Sequence, residues 1–333
     1  MTTISEIAGN RRTPLAMPVA TFPGAALTGM TVRDLVTDGG KQSLTQLAFH
    51  RRFGTSVLMS CMDLSVEAEA FGASVTFSDT EVPTVTGRYV TEEGAASSLR
   101  VPAVGSGRTH VYLDAVSGLV SSGKGIPVLG GMIGPFSLAG RLFGVSESLL
   151  ATASEPEVIE GLLEKVTSFL CAYAAAFKSA GASGVIIAEP SAGLLSPRGM
   201  AAYSSPYVRR IIEAVEGEGF EVILHNCAAK AIHLDAVAGS GAHIVHFGAP
   251  MDIRAALAKL SPRVTVCGNL DPAGVFLHST PEAIANLTRN LISSTEGYSN
   301  FVVSSGCDIP AATPLENLDA FFHEASRSIA PSP

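Results

Sequence analysis

The stretch EVILHNCAAK, residues 221–230, opens as an unbroken apolar run and ends on a histidine and a cysteine two positions apart. A short run without polar alternation is what a strand covered on both faces requires, because a parallel sheet carries helices on either side. Five further runs have the same character: IPVLGG (126–131), GVIIAE (184–189), HIVHFG (243–248), RVTVCGN (263–269) and FVVSSG (301–306). MPVATF (17–22) and SVLMSC (56–61) bring the total to eight. From about residue 125 these runs alternate with helical segments, the order that predicts βα units. Eight strands with intervening helices in 333 residues predict a (β/α)8 TIM barrel, a single domain over 1–333. The chain has neither a glycine fingerprint for a dinucleotide nor a P-loop, which counts against an open doubly wound sheet.

Helix starts are marked by side chains able to serve the exposed N–H groups of a first turn. Ser154 before Glu155-Pro156-Glu157 reads as a capping box opening a helix that runs to Gly181, and STPE (279–282) and TPLE (313–316) repeat the pattern. Alternation at period 2 over about 73–101 predicts an antiparallel β-hairpin inserted after the second strand. Residues 102–125 read as a Gly/Ser-rich loop around one short helix.

A content of 47% apolar and 16% charged residues suits a large buried core and argues against disorder. The net charge of −8, with no basic cluster longer than Arg11-Arg12, Arg51-Arg52 and Arg209-Arg210, makes nucleic acid and anionic membranes poor partners. A small molecule or another protein fits better. No apolar stretch reaches the roughly 18 residues of a membrane span, and RRTPLAMPVATF (11–22) has two prolines where a secretory segment needs a continuous apolar helix. The expected location is therefore cytoplasmic. Five scattered cysteines, an odd number, point to reduced thiols or metal ligands and not to a disulfide framework.

In such a barrel the chemistry lies where the strands end. Asp63, Glu189, His225 with Cys227, His246, Cys267 with Asn269, and Cys307 with Asp308 terminate or follow the runs. His225 and Cys227 are two apart, so an extended backbone sends both side chains to one face. They can equally be a core histidine and a buried thiol. Cys307 joins them only if its strand end comes near theirs across the barrel mouth. One imidazole and two thiolates neutralise Zn²⁺ and leave a fourth position open, the composition of a catalytic zinc. Cys61, Cys171 and Cys267, embedded in apolar runs, read as core, and His246 as a hydrogen-bonded barrel histidine.

Several segments in order resemble the uroporphyrinogen decarboxylase superfamily, and within it the zinc-dependent, corrinoid-linked methyltransferases that methylate a thiol such as coenzyme M. They are DLSVEAEAFGASV (63–75), PVLGGMIGPFSLAGRLFG (127–144), IAEPSAGLLSPRGMAAYSSPYVRRII (187–212), ILHNCA (223–228), CGNLDP (267–272) and SSGCDIPAATPLENL (304–318). The methyltransferases are similar in having His-x-Cys with a later Gly-Cys, which implies His225, Cys227 and Cys307 as zinc ligands. Decarboxylases carry an early arginine-containing QAGRY-type motif where this chain has TFPGAALTG (21–29), and Arg141 stands near an expected tyrosine. Asp63 does match the aspartate with which decarboxylases hold pyrrole N–H groups, so a catalytic or substrate-facing role is expected of it.

The resemblance implies methyl transfer from methylcobalamin, or a methylcorrinoid carried by a partner corrinoid protein, to a small thiol such as coenzyme M or homocysteine. Zinc fits that task because a free thiol is mostly protonated at neutral pH, whereas methyl transfer needs the thiolate. Glu189 is expected to act catalytically, as a resting fourth ligand or through a hydrogen bond. Met132 and Phe136 are expected in the apolar pocket wall, with Asn269 shaping the cofactor pocket, and Asp271-Pro272 reads as a turn. Competing expectations are methyl transfer from a folate, as in cobalamin-independent methionine synthase, which normally has two barrels; a non-catalytic corrinoid or tetrapyrrole-binding module; and, last, uroporphyrinogen decarboxylation.

Overall fold

The computed structural model describes residues 15–91, 98–217 and 219–327. Strand β1 (Leu58–Met59) is followed by a separate antiparallel pair, β2 (Val75–Thr76) and β3 (Thr84–Val85). The main sheet continues with β4 (Val128–Ile133), β5 (Gly184–Ala188), β6 (Glu221–Asn226), β7 (Ile244–Phe247), β8 (Thr265–Leu270) and β9 (Phe301–Ser305). Its order is β1-β4-β5-β6-β7-β8-β9, all parallel, so each strand pairs with the next one of this sheet along the chain. Helices such as Pro156–Ser179, between β4 and β5, and Pro281–Ser294, between β8 and β9, return the chain to the starting edge.

The sheet curls around its own interior. Met59, Leu129, Ile186, Ile223, Ile244, Cys267 and Val302 share one buried cluster with Leu15, Met17 and Val19. In a flat sheet the first and seventh strands would stand about 29 Å apart, at about 4.8 Å per step. Neighbouring positions Val185, Ile187, Val222, Leu224, Val245 and Val266 belong instead to a cluster with the helix residues Leu162, Val166 and Phe169. Burial on both faces is why these runs show no polar alternation.

The segment 17–22 is not a regular strand. It meets β9 through one parallel bridge, Ala16 to Val303, with Met17 N–H donating to Val303 O at 3.0 Å. Beyond that its backbone is served partly by side chains: Val19 N–H donates to Ser305 Oγ (3.0 Å) and Thr21 N–H to the Asp308 carboxylate (2.9 Å).

Two expected helix starts are also corrected. Ser154 is the last residue of the helix Val145–Ser154 and donates to Leu150 O at 3.2 Å, so no extended serine is left to cap the next helix, and Glu155 stands at the cap position with no side-chain cap hydrogen bond to the first turn. In TPLE the cap position falls on Pro314, which offers no polar side chain. Thr280 does cap Pro281–Ser294, accepting from Ala283 N–H at 3.3 Å. The helix within 102–125 is longer than expected, Thr109–Ser122, because Val111, Tyr112, Ala115, Val116 and Leu119 form a buried stripe at helical spacing. Part of the 73–101 segment, residues 92–97, lies outside the described residues.

Candidate metal centre at the strand ends

Strand parity builds the site. Ile223 faces the interior, so His225, two further along β6, faces it too, and Cys227 follows just past the strand end. Cys307 arrives on the loop after β9. One ligand atom from each of His225, Cys227 and Cys307 lies within 4.8 Å of the other two. His225 is 3% exposed and its Nε2 has no hydrogen-bond partner, while its Nδ1 sits 2.7 Å from Nδ1 of His246. A buried orphan nitrogen costs about 1–3 kcal/mol. Bonding to a metal would remove that cost.

The donor set fits zinc. Bonds of about 2.0–2.3 Å in a tetrahedron hold ligand atoms about 3.5–3.8 Å apart, so these donors need to close by little more than 1 Å. The thiols already influence each other: the Cys307 thiol holds Cys227 down to about 7 against the effect of burial. Cys307 in turn is pushed up, by Cys227 first and burial second. Cys227 is therefore close to its thiolate form at neutral pH.

Two glycines let the loops meet, and composition alone did not single them out. A Cβ on Gly248 would lie 2.1 Å from Cys227 O, and one on Gly306 would lie 2.8 Å from Ala249 N. The β7 loop is thus packed directly between the loops carrying Cys227 and Cys307.

Glu189 stands at the end of β5, 1% exposed, and closes the N-terminus of the helix Pro135–Phe143. It accepts from Phe136 N–H (2.7 Å), Ser137 N–H (3.0 Å) and Ser204 Oγ (3.2 Å). Burial pushes its carboxyl up to about 7, with these donors opposing. It is not one of the three clustered ligands. Asp63 is 4% exposed and accepts from Arg108 Nη1 (2.6 Å), Ser65 Oγ (2.6 Å) and Tyr112 OH (3.1 Å). Sequence reasoning missed Arg108 as its partner, because 45 residues separate the two.

Met132 pairs with Ile187, whose side chain faces the helices, and is 1% exposed. Phe136 is fully buried. Asn269 donates to Gly248 O (3.0 Å) and Met251 O (2.7 Å), tying β8 to the β7 loop. Asp271 accepts from Ala273 and Gly274 N–H, as a turn residue should. Cys61 and Cys267 are buried and Cys171 half-buried.

A curled parallel sheet flanked by helices, with three soft and borderline metal donors gathered at its strand ends, is the architecture of an α/β barrel-type enzyme. The model of the uroporphyrinogen decarboxylase (URO-D) family matches residues 10–328, and the chain belongs to that family. Methylcobamide:CoM methyltransferase MtbA of Methanosarcina acetivorans is 28% identical over 285 residues, covering 84% of this chain and 82% of the relative. A uroporphyrinogen decarboxylase of Coxiella burnetii is also 28% identical, over 280 residues, 81% of this chain and 76% of the relative. Overall identity therefore does not separate the two chemistries.

A solved methyltransferase from Methanosarcina mazei superposes with a TM-score of 0.86 at 22% identity, covering 98% of each chain. A B12-independent methionine synthase from Shewanella sp. W3-18-1 gives 0.56 at 14% identity, covering 94% of this chain and 95% of that one. Chain length thus does not set this protein apart from that methionine synthase, contrary to the two-barrel expectation. Among the described residues no helix is long and apolar enough to cross a membrane.

Proposed function

We propose that the protein is a zinc-dependent methyltransferase that moves a methyl group from a methylated corrinoid, held by a partner corrinoid protein, to a small thiol. The observation that carries this reading is the convergence of His225, Cys227 and Cys307 around an unpartnered buried Nε2. The methylcobamide:CoM methyltransferases among the relatives support it. The same reading takes the fold as a closed (β/α)8 barrel in which the segment around Ala16 fills the eighth strand position, with β2 and β3 as the hairpin insertion.

His225, Cys227 and Cys307 would hold the zinc, which when bound supplies the positive charge that keeps an acceptor thiol ionised at neutral pH. With zinc held there, two protein thiolates would leave the site with little net charge, so an acceptor sulfur would keep its nucleophilicity. The acceptor sulfur forms a bond to the methyl carbon as the carbon–cobalt bond breaks, its electron pair remaining on cobalt. The barrel interior, packed with apolar side chains below His225, excludes water from one side. Glu189 fixes the loop after β4 by holding two N–H groups at the start of its helix, a catalytic contribution through placement of the pocket wall. Met132 and Phe136 back that wall, Asn269 holds the β7 loop against the site, and Asp63 with Arg108 props the loop after β1.

Metal analysis of purified protein and methylcobalamin consumption with a panel of thiols test the proposal, with coenzyme M and homocysteine first. Zinc near one equivalent and thiol-dependent loss of methylcobalamin are expected. Absence of both, or turnover of uroporphyrinogen, overturns it. Methyl transfer from a methylfolate in place of methylcobalamin would assign the donor to the folate class.

A further inference from the structure

The unpartnered nitrogen of His225 is the end of a hydrogen-bonded chain crossing the barrel interior. The chain runs from Met17 O to Ser304 Oγ (2.6 Å), from Ser304 Oγ to His246 Nε2 (2.8 Å), and from His246 Nδ1 to His225 Nδ1 (2.7 Å). Each side chain in it is buried: His225 at 3% exposure, His246 and Ser304 at zero. It links β6, β7 and β9 to the segment around Met17, which bridges to β9.

Its direction follows from one fact. A backbone carbonyl can only accept, so the single hydroxyl proton of Ser304 belongs to Met17 O. Ser304 then offers His246 only lone pairs, and the proton must be on Nε2 of His246. A neutral His246 has a bare Nδ1, which accepts from His225 Nδ1–H. His225, neutral in its turn, is left with a lone pair on Nε2, the atom without a partner. The opposite polarity fails at its first link, because it would set the Met17 carbonyl against an oxygen with no proton to give. A charged His246 would reverse the last link, but none of its hydrogen-bond partners is a carboxylate, and burying a lone imidazolium is costly.

We infer that His246 and Ser304 are positioning residues that lock His225 in the Nδ1–H tautomer, aiming its Nε2 lone pair at Cys227 and Cys307 before any metal binds. This rests on the reading of His225 as a metal ligand. It adds that the ligand is pre-organised by a carbonyl three hydrogen bonds away, where metal-binding histidines more often use a carboxylate or carbonyl directly.

Two measurements test it. Long-range ¹H–¹⁵N correlation on metal-free protein labelled in histidine reads which nitrogen carries the proton, with His225 assigned through His225→Gln. The expected result is a proton on Nδ1 of His225 and on Nε2 of His246. Zinc affinity, measured by competition with a chromophoric chelator, should fall by about 10- to 100-fold in His246→Phe and Ser304→Ala, the range for lost support of a metal-bound histidine. His246→Gln, whose amide keeps both an acceptor and a donor, should recover part of the loss. A proton on Nε2 of His225, or zinc affinity within about twofold of wild type in both Ser304→Ala and His246→Phe, overturns the inference. If His246→Phe does not fold, Ser304→Ala, which removes one oxygen, still decides. If wild type binds no zinc, the proposed function fails, while the tautomer measurement continues to judge the hydrogen-bond chain.

Discussion

Replacing Glu67 by glutamine should make the protein more stable at neutral pH and leave it nearly unchanged in acid. Glu67 is 1% exposed, its Oε1 accepts from Ile133 N–H at 3.0 Å, and its Oε2 has no partner. Burial raises its carboxyl from an ordinary 4.5 to about 8, outweighing the Ile133 N–H bond and the nearby Arg108. A carboxyl raised in the folded state contributes most below its unfolded pKa, and that contribution is lost as pH rises toward the folded value. Between pH 5 and 7.5 the unfolded side chain ionises while the folded one holds its proton, which costs about 1.36 kcal/mol for each pH unit.

Over those 2.5 pH units the loss is about 3 kcal/mol. Glutamine keeps the acceptor for Ile133 and has no proton to lose. Urea unfolding of both proteins at pH 5 and pH 7.5 checks this, read as the change in their stability difference between the two conditions. A change under about 1 kcal/mol, or a glutamine variant less stable at pH 7.5, refutes the reasoning. Ile133 leads into the turn whose N–H groups hold Glu189, so the variant also reports whether this buried acid is needed to shape the pocket wall.

Cys307→Ala should bind less than a tenth of an equivalent of zinc after dialysis and lose thiol methylation; full metal content would remove Cys307 from the ligand set. Gly248→Val should release the metal while largely keeping the fold, since its Cβ meets Cys227 O at 2.1 Å, and the comparison of zinc content with circular dichroism separates the two effects. Asp63→Asn removes one of the two carboxylates that hold Arg108 at 2.6 Å, leaving Glu69 as the other, and should cost about 1–3 kcal/mol in thermal or urea unfolding. An unchanged stability would return Asp63 to a purely substrate-facing role.

Local chemistry carried the reading where neighbours in the chain are neighbours in space. The apolar runs 184–189, 221–226 and 301–306 announced strands because both faces of a parallel sheet are covered, and strand pleating put His225 on the interior face, with Cys227 one residue past the end of β6. Thr280 was legible as a cap for the same reason, whereas Ser154 was not, because a helix immediately before it had already claimed its backbone.

What depended on the tertiary structure was every relation between distant segments. Cys307 meets Cys227 only because the sheet curls, and the loops close up only where Gly248 and Gly306 have no side chain. Asp63 looked free until Arg108 appeared beside it. His246 and Ser304, 58 residues apart, form one hydrogen-bonded line whose polarity is set by the carbonyl of Met17. Pleat and propensity act over a few residues of chain, while metal geometry, ion pairing and proton direction are settled by atoms that only folding brings within 3 or 4 Å, about the reach of those interactions.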